Sequence, residues 1–469
     1  MVESTKILPE EKGFHKHLGK FSCLMIGIGG LIGGGIFSVI GAISVYTGPY
    51  AYISYLIMGS ITLITVYSYQ KLNFKWYGPG GEYSIVQSVF LNTKFRDLGL
   101  FVGLLLCFGY IASMALYAYT FSVYFLLLFN IPYNYLIISI IITVLFLIFT
   151  LLNLKGVKES ASMQNILVMI KVIILIIFSI MGMSYALNTP SQMISNVGLD
   201  IDSLKDFSFL GLIIGSSSIF VSYQGFQLIA YGSSEMKDIK GGLKMMRWSV
   251  LISMIIYCLV GFTTIAILGI SGLIGKGTQN AEVAIANAAL KFMGPFGMVI
   301  ITFGALLSTS SALNATILGS SRLVYLLAKD KIFPKSFSNL SKNRVPHNAI
   351  LFISILSIIL TIITGGALAI AKVAAFIFSQ VFFVMNYTNY KVHKKTETKK
   401  VFPLIGMILT GTLFLILLIF NLINIKTEFI SIVSFVCMQL VTLFLISHIK
   451  TINNNKLVQK QLLKDKFIS

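Results

Sequence analysis

Gly27-Ile-Gly-Gly-Leu-Ile-Gly-Gly-Gly35-Ile-Phe37 places six glycines in nine positions, inside an apolar run that begins near Lys20. A helix interior loses about 1 kcal/mol for each Gly that replaces Ala, so this segment is primed to unwind. Close helix packing explains paired small residues in a membrane. Gly33-Gly34-Gly35 goes beyond that, and the run reads as a transmembrane helix broken near its middle. A break exposes N–H groups at the start of the second half-helix and carbonyls at the end of the first. At that depth free backbone is tolerated only where it lines protein or a cavity. The donors and the positive dipole end suit a carboxylate, and the carbonyls suit an ammonium group or a cation. A zwitterionic α-amino acid satisfies both ends at once.

Working outward, the whole chain is apolar: 56% of its 469 residues are hydrophobic and only 11% are charged. That leaves too little polar surface for a water-soluble globule. The apolar blocks are about 20 residues long, which matches a helix crossing about 30 Å of hydrocarbon, and they lack the alternation of a β-barrel. Twelve spans are expected, at 20–46, 50–72, 97–129, 134–154, 161–186, 207–234, 247–273, 296–327, 347–365, 367–390, 402–423 and 428–449. The piece 82–92 is too short to span and reads as an interfacial helix. Thirty of the 36 Lys and Arg residues fall in alternate loops, with the opposite loops holding only Lys205, Lys276, Lys291 and Lys426. This asymmetry places both termini in the cytoplasm. It also turns the net charge of +20 into a topology signal with an attraction to anionic headgroups, not a nucleic-acid signature.

The sixth span repeats the theme of the first. Gly211-Leu-Ile-Ile-Gly215-Ser-Ser-Ser-Ile-Phe220-Val-Ser-Tyr-Gln-Gly225-Phe-Gln227 carries serines, further polar residues and a glycine near mid-span. Five spans precede it, and an odd number per repeat inverts the second half, as in transporters built on inverted repeats.

Four motifs then resemble, in order and spacing, the amino acid–polyamine–organocation (APC) superfamily of transporters. They are the glycine run of the first span, Pro79-Gly-Gly-Glu-Tyr83, Phe220-Val-Ser-Tyr-Gln-Gly-Phe-Gln227, and Leu307-Ser-Thr-Ser-Ser-Ala-Leu-Asn314 followed by Asp330-Lys-Ile-Phe-Pro334. The resemblance implies an all-α membrane protein with a 5+5 inverted-repeat, LeuT-like core over 20–390, repeat one about 20–186 and repeat two about 207–390. Accessory helices would occupy 391–450, with cytoplasmic tails at 1–19 and 451–469. It implies that N–H groups around Ile32, Gly33, Gly34 and Gly35 hold a substrate carboxylate, and that the carbonyls of Leu31, Val221 and Gln224 receive its ammonium. Val221 stands where the family often has an aromatic lid, which passes gating to Phe220 or Tyr223. Gln227 stands where many members carry an acid. The uncharged Ser222, Tyr223 and Gln224 favour a neutral or small amino acid.

Ionisable groups inside spans are costly unless paired or functional. Lys171 lies near the middle of the fifth span, and in proton-coupled members a lysine here stands in for a second sodium ion. Its expected partners are the Gly29 carbonyl and the Ser308, Thr309 and Ser310 hydroxyls. Either it changes protonation during transport, giving proton symport, or it is a fixed cation in an amino acid exchanger. Lys372 sits a few residues inside the tenth span, where it serves either as an interfacial anchor or in a site. Cys23, Cys107, Cys258 and Cys437 read as small core residues. His15, His17, His347, His393 and His448 do not resemble a metal set. No P-loop, nucleophile elbow or H-E-x-x-H motif occurs, so the chain reads as no enzyme and as needing no cofactor. Its partners are expected to be an amino acid, protons and the lipid of the cell membrane. A non-transporting sensor lacks an appended domain here, and a channel lacks a charged ring.

Overall fold

The computed structural model describes residues 18–76, 80–156, 161–200, 207–274, 281–341 and 345–466, although not the side chains of 161–162, 234, 274 or 448–466. Lys6, His15, His17, Pro79, Lys205, Lys276 and the His448 side chain thus lie outside the described residues. Among the described residues the elements are helical and no strand forms, leaving only an isolated bridge between Leu18 and Met236. Among the described residues eleven stretches are long and apolar enough to cross a membrane. The first, Lys20–Lys75, runs for 56 residues and is long enough for two crossings of about 20 residues each.

That first stretch contains α1 (Lys20–Leu31), α2 (Gly34–Thr47) and α3 (Ala51–Lys75). Its successors are α4 (Gly81–Phe90), α5 (Leu98–Leu128), α6 (Tyr135–Leu154), α7 (Ala161–Leu187) and the short α8 (Pro190–Asn196). Then come α9 (Phe209–Ser218), α10 (Leu228–Tyr231), α11 (Ile239–Ile274) and α12 (Ala284–Lys329). The chain closes with α13 (His347–Thr364), α14 (Ala367–Lys391), α15 (Val401–Ile423) and α16 (Ile425–Lys466).

Local chemistry sets several of these boundaries. The Asn134 side chain accepts the Leu136 N–H at 2.8 Å and starts α6, and the Ser208 hydroxyl accepts the Gly211 N–H at 3.0 Å and starts α9. Two helices begin earlier than their hydropathy indicates. α11 starts at Ile239, because Asp238 caps the Gly241 N–H at 2.9 Å and draws the polar turn Lys240–Lys244 into the helix. α12 is interrupted at Gly294 (φ 67°), just before Pro295, so its first ten residues form a separate short helix. Proline has no N–H to donate and clashes with the preceding turn, and Gly294 supplies the compensating conformation. α4 buries Glu82, Tyr83, Ile85, Val86 and Phe90 against α5, so it is held by protein.

Burial separates inner from outer helices. α5 packs along α12 and α14, and α3 along α11, and most of α5 is buried. α6 buries only the stripe Ile138, Ile142, Leu145, Phe146, Thr150 and Asn153. Its other face exposes Leu136, Ile140, Val144, Leu147 and Leu151. A face so apolar and so exposed is stable only against lipid tails. Cys23 and Cys107 are buried, but Cys437 is exposed on such an outer face and is not a core residue.

Candidate functional site

Helix α1 ends where Ile32 turns out of helical geometry (φ −78°, ψ 83°), and α2 begins at Gly34. The second break follows α9: a 3-10 turn covers Ile219–Tyr223, Gln224 is extended, and Gly225 takes φ 124°. The two breaks press on each other. A Cβ built on Gly225 stands 2.6 Å from the Gly30 Cα, and one on Gly30 stands 2.8 Å from the Gly225 Cα. Real Cβ atoms do not approach so closely, so glycine is required on both sides. Gly35 is equally confined, since a Cβ there stands 2.9 Å from the Ser222 Cα. Gly225→Ala adds overpacking of about 1–3 kcal/mol to an unfavourable φ. It is expected to lower the thermal midpoint and abolish transport, as measured by melting in detergent and by vesicle uptake.

Three tyrosines scaffold the breaks. The Tyr257 hydroxyl lies 2.5 Å from the Leu31 carbonyl oxygen and 2.9 Å from that of Ser222. Its one proton serves one of the two carbonyls at a time, and Leu31 also accepts the Gly33 N–H at 2.9 Å. Tyr55 donates to the Gly35 carbonyl at 3.3 Å, and Tyr223 donates to the Tyr55 carbonyl at 2.6 Å. Tyr223 is thereby a buried strut, whereas Phe220 packs on Phe382 of α14 with ring centroids 4.9 Å apart.

The expected donors narrow. The Ile32 N–H is committed to the Ile28 carbonyl at 2.8 Å, and the Gly33 N–H to that of Leu31 at 2.9 Å. The N–H groups of Gly34 and Gly35 open α2 and lack intrahelical partners. Around them stand Tyr117 and Thr120, which a Cβ on Gly33 or Gly34 would meet at 2.7 and 2.9 Å. Among the acceptors, the Val221 carbonyl receives the Gln224 N–H at 3.2 Å. The Ser222 hydroxyl and the Gln224 Nε2 are buried without a partner. Buried polar groups are normally satisfied, and these two stand at the second helix break. Gln227 uses its Oε1 to accept the Gly225 N–H at 3.0 Å and so braces the second break.

Lys171 is 2% exposed and reaches across to the first break. Its Nζ donates to the Gly29 carbonyl at 3.0 Å, the Ile32 carbonyl at 2.6 Å and the Ser308 hydroxyl at 3.4 Å. Among the described residues no carboxylate pairs with it. Thr309 and Ser310 are not its partners. Thr309 donates to its own helix at Ala305, 2.7 Å away, because successive helical residues point about 100° apart. The Ile32 carbonyl went unforeseen, although the last carbonyls before a break are left free by helix geometry.

Three further buried groups were not singled out from the sequence. Glu82, from the Pro79-Gly-Gly-Glu-Tyr83 motif, accepts from the Tyr231 hydroxyl at 2.8 Å beside the second break. Glu282 accepts from Tyr119 at 3.0 Å and from the Ala367 N–H at 3.1 Å, capping α14, and burial pushes its carboxyl up to about 7. The third is Glu428. Lys372 does not reach an interface: fully buried, it lies 2.5 Å from Glu428 Oε1 and 3.0 Å from the Tyr46 hydroxyl. Tyr46 donates to the same carboxylate at 2.9 Å, tying the end of α2 to α14 and α16.

A family model described as amino acid permease matches residues 18–446, from before the first break almost to the end of the last apolar stretch. The chain belongs to the amino acid permease family. This permease is 28% identical over 421 residues to an uncharacterized protein of Methanocaldococcus jannaschii, covering 90% of this chain and 93% of the relative. It is 24% identical over 353 residues to the methylthioribose transporter of Bacillus subtilis, covering 72% of each. Over 415 residues it is 23% identical to the inner membrane transport protein YbaT of Escherichia coli, covering 86% of this chain and 89% of the relative. The permease is a multi-span membrane transporter, not an enzyme.

Proposed function

We propose that this permease carries a neutral or small amino acid by proton-coupled symport, through alternating access around the two helix breaks. In this reading the first stretch counts as two crossings, making twelve helices in a 5+5 inverted repeat over 20–390 followed by two accessory helices. Both termini face the cytoplasm of a cell-membrane protein. The observation that carries the reading is the abutment of the breaks at Gly30 and Gly225, beside the orphaned Ser222 hydroxyl and Gln224 amide. The free N–H groups of Gly34 and Gly35 hold the substrate carboxylate, aided by the helix dipole. The carbonyls of Leu31 and Ser222, which share one tyrosine proton, take the ammonium. Phe220 is the lid, and Lys171 is the coupling group, because it binds the backbone at the break itself.

Purified permease in proteoliposomes, given a panel of amino acids and an imposed pH gradient, tests this. Uptake that follows the gradient and collapses with a protonophore is the expected result. Uptake that ignores the gradient yet requires internal substrate makes the permease an exchanger, with Lys171 a fixed cation. Similarity to the methylthioribose transporter favours a second reading, a neutral thiosugar substrate. A thermal-shift screen that includes methylthioribose separates the two, since a ligand of the folded state raises its midpoint.

A further inference from the structure

Away from the breaks, the end of α3 and the start of α11 enclose a half-open cavity of about 390 Å³. Three cations line it, Lys71, Lys244 and Arg247, together with the aromatic side chains of Tyr67, Phe74 and Trp248. Its floor is Gln70, a buried amide that donates to the Leu243 and Lys244 carbonyls at 3.1 and 3.2 Å. The Gln70 Oε1 accepts from Arg247 Nη2 at 3.2 Å. The guanidinium is thus held in place by one of its five N–H groups, leaving the rest to bind. Among the described residues no carboxylate lines the cavity. The nearby Asp238 is engaged by Lys20 at 3.4 Å and by the Gly241 N–H and also feels the charge of Lys244, and Lys71 donates to the Glu397 backbone carbonyl at 3.4 Å. Three cations face one nearby carboxylate, which Lys20 already engages, and this leaves net positive charge in a cleft suited to an oxyanion such as phosphate.

The surroundings identify the source of that phosphate. Trp248 is exposed beside Arg247, as expected of an indole at headgroup depth. Along α11 the exposed side chains continue as Ile255 and Leu259, about 12 and 18 Å beyond Arg247 at roughly 1.5 Å per residue. Leu56 is exposed on α3, which runs antiparallel beside α11. A headgroup in the cleft therefore leads its acyl chains onto apolar helix surface.

We infer that the α3–α11 cleft is a binding site for the phosphate of an anionic phospholipid. Ten residues after Arg247, α11 carries Tyr257, the side chain that bridges the two helix breaks. A lipid seated on Lys71, Lys244 and Arg247 clamps the base of that helix to α3.

The full-length permease is reconstituted in nanodiscs of phosphatidylcholine with or without phosphatidylglycerol, and lipids retained on release are counted by native mass spectrometry. The wild type is expected to retain phosphatidylglycerol selectively and to melt higher in its presence. K71Q/K244Q/R247Q is expected to weaken that retention about 100-fold, from roughly fivefold per basic contact. K94Q/K331Q/K335Q, which removes equal charge from exposed positions that do not line the cleft, is expected to retain it. Equal loss in both variants, or no preference by the wild type, overturns the site. Inorganic phosphate that raises the midpoint as far as the lipid does overturns the lipid assignment in favour of a soluble anion.

Discussion

Lys171→Ala is expected to reduce gradient-driven uptake at least about 100-fold while leaving the protein in the membrane. The ammonium of Lys171 donates to the Gly29 and Ile32 carbonyls, the ends of helix α1 that the break deprives of partners. Without it the Gly29 carbonyl loses that donor, while Ile32 keeps only the Ser308 hydroxyl at 2.6 Å. An unsatisfied buried acceptor costs about 1–3 kcal/mol, enough to shift the break but not to unfold a chain of this size. Positioning errors of that scale at a binding site cost about 100-fold in rate. Uptake in proteoliposomes, with thermal melting as the folding control, measures both. Wild-type uptake with unchanged pH dependence in the variant removes Lys171 from the mechanism. Residual exchange with the wild-type pH profile instead assigns it the role of a fixed cation.

Glu428→Ala is expected to destabilise the fold by about 3–5 kcal/mol, because it leaves the Lys372 ammonium buried without its counter-charge. Fully buried, Lys372 lies with its Nζ 4.7 Å from the Tyr46 ring centroid and 5.6 Å from that of Phe420. The double variant Lys372→Met with Glu428→Leu removes both charges and is expected to recover most of the lost midpoint, since an apolar pair of similar volume replaces a buried ion pair at little net cost. Thermal melts of Lys372→Met, Glu428→Leu and the double close a double-mutant cycle. A wild-type midpoint for Glu428→Ala refutes the claim that this pair holds α2 to α14 and α16.

Much of the architecture was legible because it depends on local properties. Apolar length reports hydrocarbon thickness, and a glycine run lowers helix stability wherever it stands, so the break after Ile32 was visible from Gly27–Gly35 alone. The second break was visible from the serines and Gly225, whose φ of 124° no other residue adopts readily. The errors came where local polarity and fold diverge. Lys240–Lys244 reads as loop yet is helix, and the polar run Ser308–Ser310 offers a lysine only its first hydroxyl.

Pairings between distant segments were a different matter. Lys372 and Glu428 lie 56 residues apart, and Tyr257 lies 226 residues from Leu31, with nothing in either neighbourhood to announce the other. Helical periodicity specifies which residues share a face but leaves free how each helix is rotated and how deeply it is set. The sequence by itself determined that this protein is a membrane-embedded helical permease with two interrupted helices. Only the tertiary structure decided which carbonyls Lys171 holds, that Gly30 and Gly225 abut, and that Lys372 is an internal ion-pair partner. Those contacts depend on helix packing within about 3 Å, the reach of a hydrogen bond.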